Sequence, residues 1–212
     1  SRPGRAFIAA SGNDVVEVQT AAVNNGDLDI LKRRCAKMSD APARPPWSDP
    51  LPAQLPPTGE GFGLIDLPEQ QSHATWTWTP QDGRLSIEGS LGSGTTTALI
   101  SMLHHSSSTA AYVIDARGDA TLLCVNDFQN VAPVVFAWDD ERRGRLLNVL
   151  ATELENRKQL SDADPLIVAI DGVSEFIRQL DDRELELFRV LLREGDGAGI
   201  CVVTTGDEPP VP

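Results

Sequence analysis

The sequence predicts an α/β fold, with a mainly parallel central sheet covered by helices and preceded by an N-terminal β-hairpin and a proline-rich linker. Three observations carry this expectation. Short apolar runs alternate with amphipathic helical segments across residues 84–205. Several of those runs, Leu166-Ile167-Val168-Ala169-Ile170 above all, are apolar throughout, as strands buried on both faces are. A glycine-rich stretch, Gly89-Ser90-Leu91-Gly92-Ser93-Gly94, stands between the first such strand and the first helix.

Residues 5–9 and 15–20 are strand-like, and the turn Ser11-Gly12-Asn13-Asp14 joins them as a hairpin. Residues 27–36 form a short helix whose last turn carries Lys32-Arg33-Arg34, a solvated basic end. Residues 40–57 hold Pro42, Pro45, Pro46, Pro50, Pro52, Pro56 and Pro57. That density excludes helix and central strand and predicts an extended linker, with Trp47 available to pin it to a domain surface. Strands follow at residues 63–66 and 74–79, the second alternating Trp76 and Trp78 with threonine in the period of a half-buried strand. Those tryptophans read as packing residues.

The α/β part begins with a strand at 85–88 and a helix at 96–105. A strand at 110–115 ends on Asp115, which either caps the turn Ala116-Arg117-Gly118 or faces a crevice. A shorter strand at 134–137 precedes a long helix at 139–159. Leu146, Leu147, Leu150 and Leu154 make that helix's apolar stripe, with Asp139-Asp140 at its start and Arg157-Lys158 at its end, as the helix dipole prefers. A buried strand at 165–171, a helix at 183–194 with Leu185, Phe188, Leu191 and Leu192 inward, and a last strand at 199–205 complete the set.

Composition bounds the function. The chain has 212 residues, 41% of them hydrophobic, which suits one substantial domain with added segments. A net charge of −13 opposes nucleic-acid binding, because that affinity rests on Lys and Arg neutralising phosphates. No apolar run approaches the roughly 20 residues of a membrane-spanning helix. The opening Ser1-Arg2-Pro3-Gly4 does not resemble a natural start, so a fragment of a longer chain is expected. Cys35, Cys124 and Cys201 lie far apart and read as reduced thiols, with Cys124 and Cys201 as small core residues. His104 and His105 close a helix and lack ligand partners at metal-binding spacing.

The glycine-rich stretch has the frame G-x-x-x-x-G-K-[ST], with Gly89, Gly94, Thr95 and Thr96 in the fixed places. Backbone N–H groups of Gly89, Gly92, Ser93, Gly94, Thr95, Thr96 and Thr97 would cradle phosphate oxygens at a positive helix N-terminus. Thr96 stands where a hydroxyl would bind Mg²⁺, and Thr95 where a lysine would reach the outer phosphates of ATP. Loss of that charge-assisted contact costs about 1.5–3 kcal/mol, or about tenfold to several hundredfold in affinity. The apolar strand that closes on Asp171 supplies a second signal, a carboxylate that holds Mg²⁺ through water. Gly172 occupies the place where many ATPases put a water-activating glutamate, and Glu175 is the nearest acid. Thr205, at the end of the last strand, is either a sensor of the terminal phosphate or an ordinary strand threonine. ATP and Mg²⁺ are thus the expected ligands, held weakly or not at all.

The order Pro45-Pro46-Trp47, Gly63-Leu64-Ile65-Asp66, Gln70-Gln71, the glycine loop with Thr97-Ala98-Leu99, Tyr112-Val113-Ile114-Asp115, the strand ending Asp171-Gly172 and the run 199–205 resembles an FtsK/SpoIIIE-type ATPase module. Within that group it is most similar to the tandem modules of EccC-type ATPases of type VII (ESX) secretion; DNA translocases have Asp-Glu where this chain has Asp171-Gly172. The resemblance implies a RecA-like P-loop NTPase fold. It places residues 1–39 as the tail of a preceding module, 40–60 as linker and 61–212 as the ATPase domain, incomplete at its C-terminus. It also implies adjacent ATPase modules and secreted proteins as partners, a hexameric parent, and a place on the cytosolic face of a membrane-anchored complex. Thr95 and Gly172 depart from an active site and predict a degenerate module serving regulation, assembly or substrate recognition. An active DNA-translocating ATPase and a ligand-free structural module are the alternatives.

Overall fold

In the computed structural model, residues 5–9, 15–19, 24–38, 47–55, 61–90, 92–160 and 163–207 are described. The chain divides into two units, Ser1–Trp47 and Ser48–Pro212. In the first, Arg5–Ala9 (β1) pairs antiparallel with Val15–Gln19 (β2) as the sequence predicts. The turn between them lies outside the described residues. Asn25–Met38 (α1) starts earlier than its apolar pattern predicts. Asn24 and Asp27 explain this: each backbone N–H donates to the other's side chain, at 3.1 and 3.0 Å, satisfying donors that a helix start leaves orphaned.

The second unit opens with an antiparallel hairpin, Gly63–Leu67 (β3) and Ser72–Trp76 (β4). Leu85–Glu88 (β5), Thr95–His105 (α2), Ala110–Asp115 (β6), Val135–Phe136 (β7), Asp140–Arg157 (α3), Leu166–Asp171 (β8), Val173–Gln179 (α4), Asp182–Glu194 (α5) and Ile200–Gly206 (β9) follow. The last five strands form one sheet in the order β5-β9-β8-β6-β7, every neighbouring pair parallel. β8 shows why its sequence is apolar throughout. Leu166, Val168 and Ile170 join the cluster of α3, α4 and α5, which includes Leu150, Phe176 and Phe188. Ile167 and Ala169 join the opposite cluster, with Leu99, Met102 and Leu103 of α2. Both faces of the sheet are therefore covered, and all strand ends converge on one edge.

Several expectations are corrected. The strand expected at 74–79 is β4, ending at Trp76, because Trp78 turns into the core and donates from Nε1 to the Gly83 carbonyl at 3.0 Å. Helix α4 had no strong sequence signal, and residues 121–127 form a 3₁₀ helix that none predicted. Cys124 is exposed, not a core residue, while Cys201 is buried. Trp47, expected as a packing anchor, is 70% exposed.

Candidate functional site

The strands β5, β9, β8 and β6 deliver their C-terminal residues to a common edge, where the glycine loop lies. Gly89 N–H donates to the Gly206 carbonyl at 3.1 Å, which extends the β5–β9 ladder by one step. The loop then doubles back. A Cβ on Gly89 would overlap Ser93 Oγ and stand 3.2 Å from Thr95 Cγ2, so any other residue there would push Ser93 aside. Ser93 N–H donates to the Ser90 carbonyl at 2.9 Å. Gly94, at φ +95°, is the residue from which α2 departs, a conformation that a side chain disfavours. Gly92, Ser93, Gly94 and Thr97 are exposed, whereas Thr95 is buried under the loop. The place of the motif's lysine is thus a short, packed hydroxyl side chain.

Thr96 and Asp171 meet as the spacing of the two motifs implies. Thr96 Oγ1 donates to Asp171 Oδ2 at 2.9 Å. Thr205 Oγ1 donates to the other oxygen, Asp171 Oδ1, and accepts from the Gly172 N–H at 3.0 Å. Asp171 is fully buried. Thr205 is therefore bound to the central carboxylate as well as to the sheet.

Asp115 lies opposite Asp171 in the β6–β8 register and is also fully buried. Its Oδ1 accepts from the Gly118 N–H at 2.7 Å, which caps the turn as one of the two readings expects, and its Oδ2 is buried without a hydrogen-bond partner. Burial pushes its carboxyl above the usual range, the Gly118 N–H opposes this, and the charges of Asp119 and Asp171 add to the rise.

Arg117 is the residue that sequence reasoning missed. Its Nε lies 3.6 Å from Asp171 Oδ1, and its side chain is 20% exposed. The only sequence signal was a cation two places beyond a strand-terminal acid. Glu175, the first acid after Gly172 in sequence, sits in the first turn of α4, pairs with Arg178 at 2.8 Å, and holds its Oε2 3.0 Å from the place a Cβ on residue 172 would take.

The arrangement can receive an anion. An exposed glycine backbone sits at the N-terminus of an eleven-residue helix, where N–H groups and the helix dipole favour phosphate. Thr96 and Asp171 stand together as an Mg²⁺ site requires, but the Arg117 guanidinium beside Asp171 has the metal's own sign of charge and does not fit it.

No protein-family model matches the chain. The ESX secretion system protein EccC of Geobacillus thermodenitrificans (strain NG80-2) is 28% identical over 193 residues, covering 76% of this chain. The chain spans 13% of that relative's length. Among solved structures, EssC (ATPases 2 and 3) from Geobacillus thermodenitrificans aligns with a TM-score of 0.60 at 24% identity, covering 80% of this chain and 38% of that one. Thermomonospora curvata EccC (ATPases 2 and 3), in complex with a signal sequence peptide, aligns with a TM-score of 0.61 at 19% identity, covering 69% and 32%. No helix among the described residues is long and apolar enough to cross a membrane. The chain is thus similar in sequence to EccC, and its five-stranded parallel sheet flanked by helices is the fold of these ATPase domains.

Proposed function

We propose that this chain is a degenerate module of a type VII secretion ATPase, one that receives nucleotide weakly and does not hydrolyse it. The observation that carries this reading is the closure of position 172. Gly172 has φ +82°, and a Cβ there would lie 2.9 Å from Arg117 Cγ and 3.0 Å from Glu175 Oε2, so a water-activating glutamate would meet a strained backbone and side chains that have to shift. The missing lysine at Thr95 supports the same reading, since positive charge on the outer phosphates is a principal term in phosphoryl transfer. ATP would be held by backbone N–H groups of Gly92, Ser93, Gly94, Thr95, Thr96 and Thr97, with Gly89 giving the loop room to turn. Thr205 and Asp171 would stand behind the outer phosphates and fix the loop to the sheet through Thr96.

Such a module acts through its surfaces, in regulation, assembly or recognition of secreted proteins, beside other ATPase modules of a longer and hexameric parent. That parent would work at the cytosolic face of a membrane-anchored complex, with its membrane segments outside this chain. The charge of −13 speaks against DNA as the cargo.

Calorimetry with ATP, together with a phosphate-release assay, tests the reading. The wild-type chain should bind weakly and release no phosphate. Thr95→Lys should bind about ten- to several-hundredfold more tightly, through the charge-assisted contact it restores, with hydrolysis still at background. Turnover by the wild-type chain, or no gain in affinity from Thr95→Lys, overturns it.

A further inference from the structure

Two fully buried carboxylates, Asp115 and Asp171, face each other across neighbouring strands at the same level of the sheet. Two carboxylates in such a place are relieved by a proton on one of them or by a cation beside them. In a nucleotide site of this architecture a divalent metal supplies it. Here the charge at that carboxylate comes from the chain itself. Arg117 Nε stands 3.6 Å from Asp171 Oδ1, and it is buried without a hydrogen-bond partner. Asp115 Oδ2 is likewise buried and unpartnered. Both oxygens of Asp171 already accept hydroxyl protons, from Thr96 and Thr205.

The guanidinium is seated there by a built slot. Its Cγ passes 2.9 Å from the point where a Cβ on residue 172 would lie, and residue 172 is glycine at φ +82°. The absent side chain and the arginine stem are complementary. Among the described residues, no three His, Cys, Asp or Glu side chains gather to hold a metal. Mg²⁺ asks for near-octahedral oxygen ligands at about 2.0–2.1 Å and keeps several waters, a shell that an adjacent guanidinium both crowds and repels.

We propose that Arg117 takes the place of the divalent cation at Asp171, so that the site recruits no Mg²⁺ and takes a nucleoside polyphosphate as the metal-free anion. The statement about the anion rests on the nucleotide-binding reading given above; the exclusion of the metal does not.

Mn²⁺ serves as the probe, followed by electron paramagnetic resonance and by thermal unfolding of the whole chain. Wild type should show no saturable Mn²⁺ binding beyond that of Asp171→Asn, and no rise in melting temperature. Arg117→Ala should melt at a lower temperature than wild type, and Mn²⁺ should restore part of that loss. The added Asp171→Asn change should abolish the restoration. Saturable wild-type binding that Asp171→Asn removes, or a folded Arg117→Ala that ignores Mn²⁺, overturns the proposal. If Arg117→Ala does not fold, the wild-type titration alone decides between metal exclusion and metal binding. Calorimetry with ATP in EDTA and in Mg²⁺ should give equal affinities, and a gain of about tenfold or more with Mg²⁺ overturns the proposal. Absence of ATP binding in both buffers removes the nucleotide reading, while the Mn²⁺ measurements still decide the role of Arg117.

Discussion

Gly172 and Arg117 are shaped to each other: the stem of the arginine crosses the C-terminal end of β8 where the glycine lacks a side chain, 2.9 Å from the position its Cβ would take. One position thereby sets the sign of charge beside Asp171. A glutamate at 172 would crowd both the Arg117 stem and the Glu175 carboxylate, whose Oε2 lies 3.0 Å from the same point.

Gly172→Ala is accordingly expected to destabilise the chain by about 1–2 kcal/mol, from the left-handed backbone alone. Gly172→Glu should cost more, because it adds the collision with Arg117, and should yield no hydrolysis. Combined with Arg117→Gly, the cost of Gly172→Glu should fall below the sum of the single changes, since they share one contact. Urea titrations of the four proteins measure this coupling, and strict additivity counts against it.

Thr205 holds two groups that cannot reach water. Its hydroxyl donates to Asp171 Oδ1 and accepts from the Gly172 N–H at 3.0 Å. Thr205→Val keeps the shape and leaves both partners unsatisfied, at an expected cost of about 1–3 kcal/mol. Thr205→Ser should restore most of it. A Thr205→Val chain as stable as wild type in urea would mean that other groups satisfy Asp171.

Elements with a strong period were legible in the sequence, and contacts between loops were not. β8 announces itself because five apolar residues in a row satisfy both core clusters. Helices α3 and α5 announce themselves by leucine stripes, and α5 also by the Asp181–Glu184 capping box, with Glu184 N–H to Asp181 Oδ1 at 2.7 Å. Helix α4 is seven residues long and leaves from a glycine, which reads as a break. The pairing of Thr96 with Asp171 was legible because each motif fixes its residue at the same sheet edge. Arg117 was not, since its partner at Asp171 depends on a strand order that local sequence does not encode.

Arg143 and Glu184 form a buried ion pair between the starts of α3 and α5. Arg143 is 4% exposed and donates from Nη2 to Glu184 Oε2 at 2.8 Å, from Nη1 to Asp140 at 2.7 Å, and from Nη1 to the Ala137 carbonyl. Arg143→Ala leaves Glu184 buried and unpaired, for an expected loss of about 3–5 kcal/mol. Glu184→Gln should cost less, because the amide still accepts from the Asp181 N–H and from Arg143. Denaturant midpoints in the reverse order would show that the pair is not what ties α3 to α5.

The three cysteines should separate by reactivity. Cys35 and Cys124 are exposed, and Cys201 is buried, with Sγ 2.8 Å from the Pro80 carbonyl oxygen. Burial pushes the Cys201 thiol up to about 11, and the charge of Asp196 adds to the rise. Only the thiolate attacks a disulfide reagent, so Cys201 is protected twice, by access and by protonation. With an aromatic disulfide at pH 8, two thiols should react at once in the native chain and the third only after unfolding. The same shift ties stability to pH. The folded state holds the Cys201 proton more tightly than the unfolded chain, so its contribution is complete below the ordinary thiol range. That contribution declines as pH rises from there toward about 11. Urea titrations of wild type and Cys201→Ala across that interval check the sign. The wild-type chain should lose stability with rising pH more steeply than the variant, and parallel curves would show that Cys201 titrates alike in both states.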